Sequence, residues 1–244
     1  MRKSLLSKTL LWTSITAFAF TSCVNDDYLV AAKPVADQSF VEEFDTLASA
    51  MNRGWKIKNV SDSVGGGVWQ QGGGFPAWFP AYSGNTSNVG FVGADYTSTA
   101  AQAQTISNWL ISPIVTMQNG DKIVFYSRAL QYDDGTGDST DYSNRLQVRI
   151  NDLNDGFNVG SGFDPGDFTT SLLDINPTYI ASSVLTPQLT AYPTRWTRFE
   201  ATVYGLNAPK KGRFAFRYFV EGGGSNGLGS GVGIDYVSYK SVAH

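Results

Sequence analysis

The run Arg145-Leu146-Gln147-Val148-Arg149-Ile150 alternates polar and apolar side chains without a break. A period of two sends Leu146, Val148 and Ile150 to one face and Arg145, Gln147 and Arg149 to the other. That is the pattern of a strand with one buried side. The same reading extends outward along the chain. Residues 123–129 upstream and 213–220 downstream are strong strands, and 89–96, 196–203 and 233–239 are further ones. Residues 54–60 place Trp55, Ile57 and Asn59 on one side, and 39–45 place Phe40, Glu42 and Phe44 on one side. Asn108-Trp109-Leu110-Ile111 is a short apolar run closed by Pro113, and residues 47–51 have room for one helical turn. No amphipathic helix of three turns is visible, nor any fixed-period repeat. The expectation is an all-β chain: a jelly-roll β-sandwich of two antiparallel sheets, with long loops at 61–88 and 151–195.

Composition narrows the function. The 244 residues are 42% hydrophobic and 14% aromatic with a net charge of -3, which excludes a natively unfolded chain. A pI near 5.1 gives no basic footprint, so no nucleic acid partner is expected. One cysteine excludes an intramolecular disulfide framework and a cysteine-based zinc site. One histidine, at position 244, leaves no catalytic triad to assemble. A carboxylate pair for glycoside hydrolysis stays open, but one sequence cannot place two acids about 5 or about 7–9 Å apart.

Residues 1–22 read as a lipoprotein signal peptide. Arg2, Lys3 and Lys8 form a positive start, and Leu10 to Phe20 is an apolar stretch too short to span a bilayer. Thr21-Ser22 before Cys23 resembles a bacterial lipobox, with Phe20 where leucine is usual. Lipidation of Cys23 with two acyl chains anchors a protein stably where one chain does not. The acidic pair Asp26-Asp27 resembles the surface-export signal of Bacteroidetes lipoproteins, so an outer-membrane, cell-surface location is expected. Residues 23–37 read as a flexible tether and 38–244 as the β-sandwich. Loss of the three leader cations from the 18 Lys and Arg leaves 15 against 21 acidic residues.

Four motifs along the sandwich region resemble one family. Ser107-Asn108-Trp109-Leu110-Ile111-Ser112-Pro113 is similar to the NWLIxP signature of choice-of-anchor J and cleaved-adhesin domains. Glu42-Glu43-Phe44-Asp45 with Gly54-Trp55 resembles that family's opening, 213–218 its penultimate strand and Ile234-Asp235-Tyr236-Val237 its closing strand. The resemblance runs from about 39 to 240 and implies a MAM-like jelly roll. It implies a surface-anchored adhesive or ligand-binding module, with structural calcium in some members, and no catalysis. The 61–88 and 151–195 segments depart from the pattern, so functions carried by those loops are not implied.

Three constellations remain. Glu42, facing inward between Phe40 and Phe44, and Asp235, inside an apolar strand, both need partners if buried. With Asp45 they converge on a calcium ion if the first and last strands lie side by side; otherwise Glu42 pairs with an arginine such as Arg217 and Asp235 caps a turn. The acidic run Asp133-Asp134-Gly135-Thr136-Gly137-Asp138, with Asp141, lacks EF-hand spacing and reads first as a solvated hairpin loop. In the 61–88 loop, Trp69, Phe75, Trp78, Phe79 and Tyr82 lie among glycines. Either they pack into a satellite core, or rings such as Trp78, Tyr82 and Trp69 offer stacking surfaces for a ligand. Trp55, Trp109 and Trp196 are expected in the core. The expected function is non-catalytic surface binding of a glycan or a host or matrix protein. The alternatives are a structural or accessory subunit of a surface complex, and a glycoside hydrolase.

Overall fold

The alternating run at 146–151 forms a strand because one of its faces is apolar and the other is not. In a computed structural model, which describes residues 35–83 and 89–242, Leu146, Val148 and Ile150 are fully buried. The strands, in chain order, are β1 (Phe40–Glu42), β2 (Lys56–Asn59), β3 (Gln70–Gln71), β4 (Val92–Asp95), β5 (Gln104–Ile111), β6 (Val115–Met117) and β7 (Lys122–Ala129). They continue with β8 (Tyr132–Asp133), β9 (Ser139–Thr140), β10 (Leu146–Asn151), β11 (Thr170–Ile175), β12 (Thr197–Thr202), β13 (Lys210–Gly223) and β14 (Gly231–Lys240). One short helix, α1 (Leu47–Asn52), follows β1.

Two antiparallel sheets result. The first runs β12-β7-β14-β4-β3, with β1 also on β14; the second runs β11-β10-β13-β5-β2, with β6 also on β13. First and last strands lie side by side, Phe40 opposite Tyr239 and Glu42 opposite Val237. Pro113, which cannot donate to a ladder, separates β5 from β6, and both then pair with β13. The sheets meet through rings. Phe125 of β7 lies edge-on to Phe216 of β13 with centroids 4.8 Å apart, and Phe214 of β13 stacks on Tyr239 of β14 at 5.8 Å. Such aromatic pairs add about 0.5–1.5 kcal/mol each beyond the area they bury. The all-β sandwich is therefore as expected. β11 is an addition: it lies inside the segment that reads as a loop, and Asp174 within it pairs with Arg145 across the sheet surface at 2.7 Å.

Residues from Val35 onward form one compact unit. The signal peptide, Cys23 and the tether up to residue 34 lie outside the described residues.

Candidate functional site

The aromatic segment after residue 61 turns back onto the outer face of the first sheet. Trp69 does not reach solvent; it is 0% exposed and belongs to the main core. Trp78 is half-buried, and its ring lies flat against glycine backbone. A Cβ on Gly73 would come within 2.2 Å of that ring, and one on Gly93 of β4 within 2.6 Å. Phe79 stacks on Phe91 at 4.7 Å, and Trp196 packs edge-on to Phe79 at 5.4 Å. Trp196 is thus half-buried in this satellite cluster rather than in the core, with its Nε1–H donated to Pro80 O at 2.9 Å. Trp55 and Trp109 are fully buried, as expected. Tyr82 is 43% exposed and stacks on Tyr126 of β7, centroids 3.5 Å apart, with Tyr236 edge-on at 6.2 Å. Phe75, next to the cis Phe75–Pro76 bond, is fully exposed.

The three carboxylates read as a calcium set face different donors. Glu42 is buried and takes a two-pronged contact from Arg53, Nε to Oε2 at 2.8 Å and Nη2 to Oε1 at 2.5 Å. The Phe44 N–H also donates to Glu42 Oε1 at 3.1 Å. Asp235 is buried; the Tyr82 and Ser83 N–H groups donate to its Oδ2 at 2.8 and 3.0 Å, and Ser83 Oγ donates to its Oδ1 at 3.0 Å. Desolvation raises the Asp235 pKa, and these donors partly offset that cost. Asp45 is exposed at the rim of a concavity shared with Glu42, Glu43, Arg53 and Tyr236, without Asp235. Among the described residues no three His, Cys, Asp or Glu side chains are grouped to hold a metal. The residues present do not fit the calcium ion envisaged, because arginine and backbone donors already occupy the two buried carboxylates. Arg217, the other partner considered for Glu42, sits on the second sheet. It stacks between Trp109 at 4.8 Å and Phe219 at 3.9 Å.

A cavity of about 350 Å³ opens elsewhere, lined by Tyr96, Tyr132 and Tyr142 and by Gly224, Ser225, Asn226, Gly227, Gly229 and Ser230. Tyr96 sits in a 3₁₀ turn whose start is capped by Asp95, which accepts the Thr97 N–H at 3.0 Å. Tyr132 is the first residue of the β8–β9 hairpin and lies edge-on to Tyr96 at 6.2 Å. The floor is the β13–β14 connection. Its glycines are required, since a Cβ on Gly227 would meet Gly222 O at 2.0 Å and one on Gly229 would meet Tyr218 Oη at 2.5 Å. Burial, reinforced by Asp95, pushes the Tyr132 pKa up to about 12, so its hydroxyl stays a donor at neutral pH. The exposed Ser225 and Asn226 side chains make no hydrogen bond among the described residues and are free to meet a ligand. No carboxylate lines the cavity.

Sequence reading misses this cavity, because its three tyrosines come from separate stretches of chain. The signal that points to it is Gly222-Gly223-Gly224-Ser225-Asn226-Gly227-Leu228-Gly229-Ser230-Gly231, a second glycine-rich loop beside the one singled out. The acidic run at 133–138 is the tip of the adjoining hairpin. Asp133 and Asp134 each accept the N–H two residues on, at 2.7 and 2.8 Å, as turn carboxylates do.

No protein-family model matches the chain, and no curated protein matches it in sequence. Solved structures do match. The K1 cleaved adhesin domain of Lys-gingipain from Porphyromonas gingivalis W83 is similar with a TM-score of 0.51 and 20% identity, over 84% of this chain and 99% of that one. The K3 cleaved adhesin domain from the same organism gives 0.50 and 16%, over 85% and 99%. The K2 domain of Lys-gingipain gives 0.51 and 17%, over 83% and 99%. At these identities the likeness establishes the fold, a β-sandwich of the kind seen in cleaved adhesin domains.

Proposed function

We propose that this chain is a non-catalytic binding module that takes a neutral segment of a glycan in the Tyr96–Tyr132–Tyr142 cavity. One observation carries the reading: three tyrosines wall a glycine-floored cavity whose rim amide and hydroxyl are unengaged. Sugar rings present apolar faces that stack on aromatic rings and hydroxyls that need donors and acceptors, and the cavity offers both. Its size lies within the range of small-molecule sites, about 300–1,000 Å³. Glycoside hydrolysis needs two opposed carboxyl groups, and the lining supplies none. The cleaved adhesin fold agrees with a binding role. In this reading a lipid on Cys23 displays the module on the outer surface of a bacterium. The Tyr82–Tyr126 stack is a secondary contact surface.

The test is a glycan array probed with the chain from Val35 onward, as wild type, Tyr132→Ala and Tyr82→Ala. Tyr132→Ala is expected to weaken specific binding at least tenfold, a loss of about 1.4 kcal/mol, and Tyr82→Ala to change it less than threefold. Binding that follows Tyr82 and ignores Tyr132 moves the site to the sheet face. A blank array from folded protein removes the glycan reading for the sugars tested and turns attention to protein partners.

A further inference from the structure

Every arginine of the sandwich except two meets an oxygen. Arg53 forks onto Glu42, Arg145 onto Asp174, and Arg198 meets Glu200. Arg149, Arg213 and Arg217 donate to backbone carbonyls at 2.5–2.9 Å. Arg128 and Arg195 are the exceptions: among the described residues neither guanidinium has a hydrogen bond or an ion pair.

For Arg128 the setting makes this costly. Arg128 points from β7 onto the outer face of the first sheet, opposite Gly233, with its guanidinium 4.0 Å from the centroid of the Phe79 ring. Its Nε–H is shielded from solvent without an acceptor. A shielded donor left without an acceptor forfeits its hydration with no return, and more so when it is charged. Arg195 is exposed and sits between two anchored neighbours: Pro193, whose carbonyl accepts the Ala129 N–H at 2.7 Å, and Trp196, which docks on the same Phe79 ring. Burial lowers the Arg128 pKa and Arg195 lowers it further, so the influential charge nearby is another cation.

We infer that Arg128 and Arg195 form a subsite for an anionic substituent, carboxylate or sulfate, on an acidic polysaccharide. The Arg128 guanidinium lies over the Phe79 ring with a shielded Nε–H, where an oxyanion gains more than in open water, and the exposed Arg195 adds a second set of donors beside it. The anion cancels the repulsion between the two arginines and supplies the missing acceptors. The chain as a whole is acidic, net -3, so attraction of a polyanion here is local. The polysaccharide class rests on the glycan reading above; the anion subsite does not.

The test is affinity electrophoresis of the chain from Val35 onward in gels carrying dextran, dextran sulfate or carboxymethyl-dextran, which share one backbone and differ in charge. Wild type is expected to be retarded by one or both charged polymers and not by dextran; which of the two retards it more separates sulfate from carboxylate. Arg128→Gln and the exposed Arg195→Gln are expected to raise the apparent Kd at least fivefold, and the paired Arg198→Gln to leave it within twofold. If Arg128→Gln does not fold, Arg195→Gln alone decides. Retardation unchanged in Arg195→Gln, or lost equally in Arg198→Gln, overturns the subsite. A DNA duplex bound with the same arginine dependence and higher affinity overturns the polysaccharide class. Arginine-dependent retardation together with a blank glycan array leaves the subsite standing while the tyrosine cavity reading falls.

Discussion

Asp141 shows how one residue can run against the stability of its own fold. It is fully buried beside the tyrosine cavity; its Oδ1 accepts the Ser182 and Ser143 N–H groups at 2.8 and 3.3 Å, while Oδ2 has no partner. Desolvation raises its pKa above the ordinary 3.8. A raised folded-state pKa means the folded chain holds the proton more tightly than the unfolded chain. Its contribution to stability is therefore present at low pH and lost as pH rises through the folded value. Asp141→Asn is accordingly expected to raise Tm at pH 7 by about 2–4 °C, equivalent to about 1 kcal/mol for a domain of this size. That gain should shrink as pH falls toward 3.8. Thermal melts of both proteins from pH 7 to pH 4 measure it, and a gain that grows on acidification contradicts this role for Asp141. At this scale the sequence is partly legible. Alternation with Phe40 and Phe44 correctly turns Glu42 inward. Its partner is not legible, because Arg53 reaches it by the chain reversing through α1 and no local pattern encodes that.

At the scale of elements, the segment from Gly72 to Ser83 is held by shape as much as by hydrogen bonds. Trp78 lies on Gly73 and Gly93, and Phe79 on Gly233, so bare backbone on two strands makes room for the rings. Gly93→Ala places a methyl group against the Trp78 ring and the Gly73 backbone. Overpacking of this kind costs about 1–3 kcal/mol. The expected outcome is a lower Tm and a red-shifted tryptophan emission as Trp78 is displaced. An unchanged spectrum and Tm contradict the packing described. The strands themselves are readable wherever alternation is clean, as in β10 and β13. β11 is not, because Thr170-Ser171-Leu172-Leu173-Asp174-Ile175 mixes both kinds of side chain on both faces, and its burial is only partial. Trp196 reads as core because it adjoins a strand; it instead covers the outer face, where Phe79 and Phe91 provide a second apolar surface.

For the whole molecule, Phe125 against Phe216 and Phe214 against Tyr239 close the two sheets on each other, and protein donors satisfy the buried Glu42 and Asp235. Addition of EDTA in large excess over trace divalent ions is therefore expected to leave Tm unchanged. Glu42→Gln is expected to lower Tm by several degrees, since it removes the charge that the half-exposed Arg53 forks onto from a buried side chain and leaves that fork poorly matched. A large EDTA shift contradicts the assignment of Glu42 and Asp235 to protein donors. The sandwich architecture is legible from periodicity and motif order. The cavity is not: it exists only once the sheets bring residues 96, 132, 142 and 225–226 together.

In the proposed function a glycan enters the tyrosine cavity. Amide chemical-shift mapping with the oligosaccharide that binds best on the array tests it most directly. The largest shifts are predicted at Gly224, Ser225, Asn226, Gly227 and Gly229, with Tyr96, Tyr132 and Tyr142 beside them. Shifts confined to Tyr82, Tyr126 and Tyr236, or spread evenly over the surface, would contradict it.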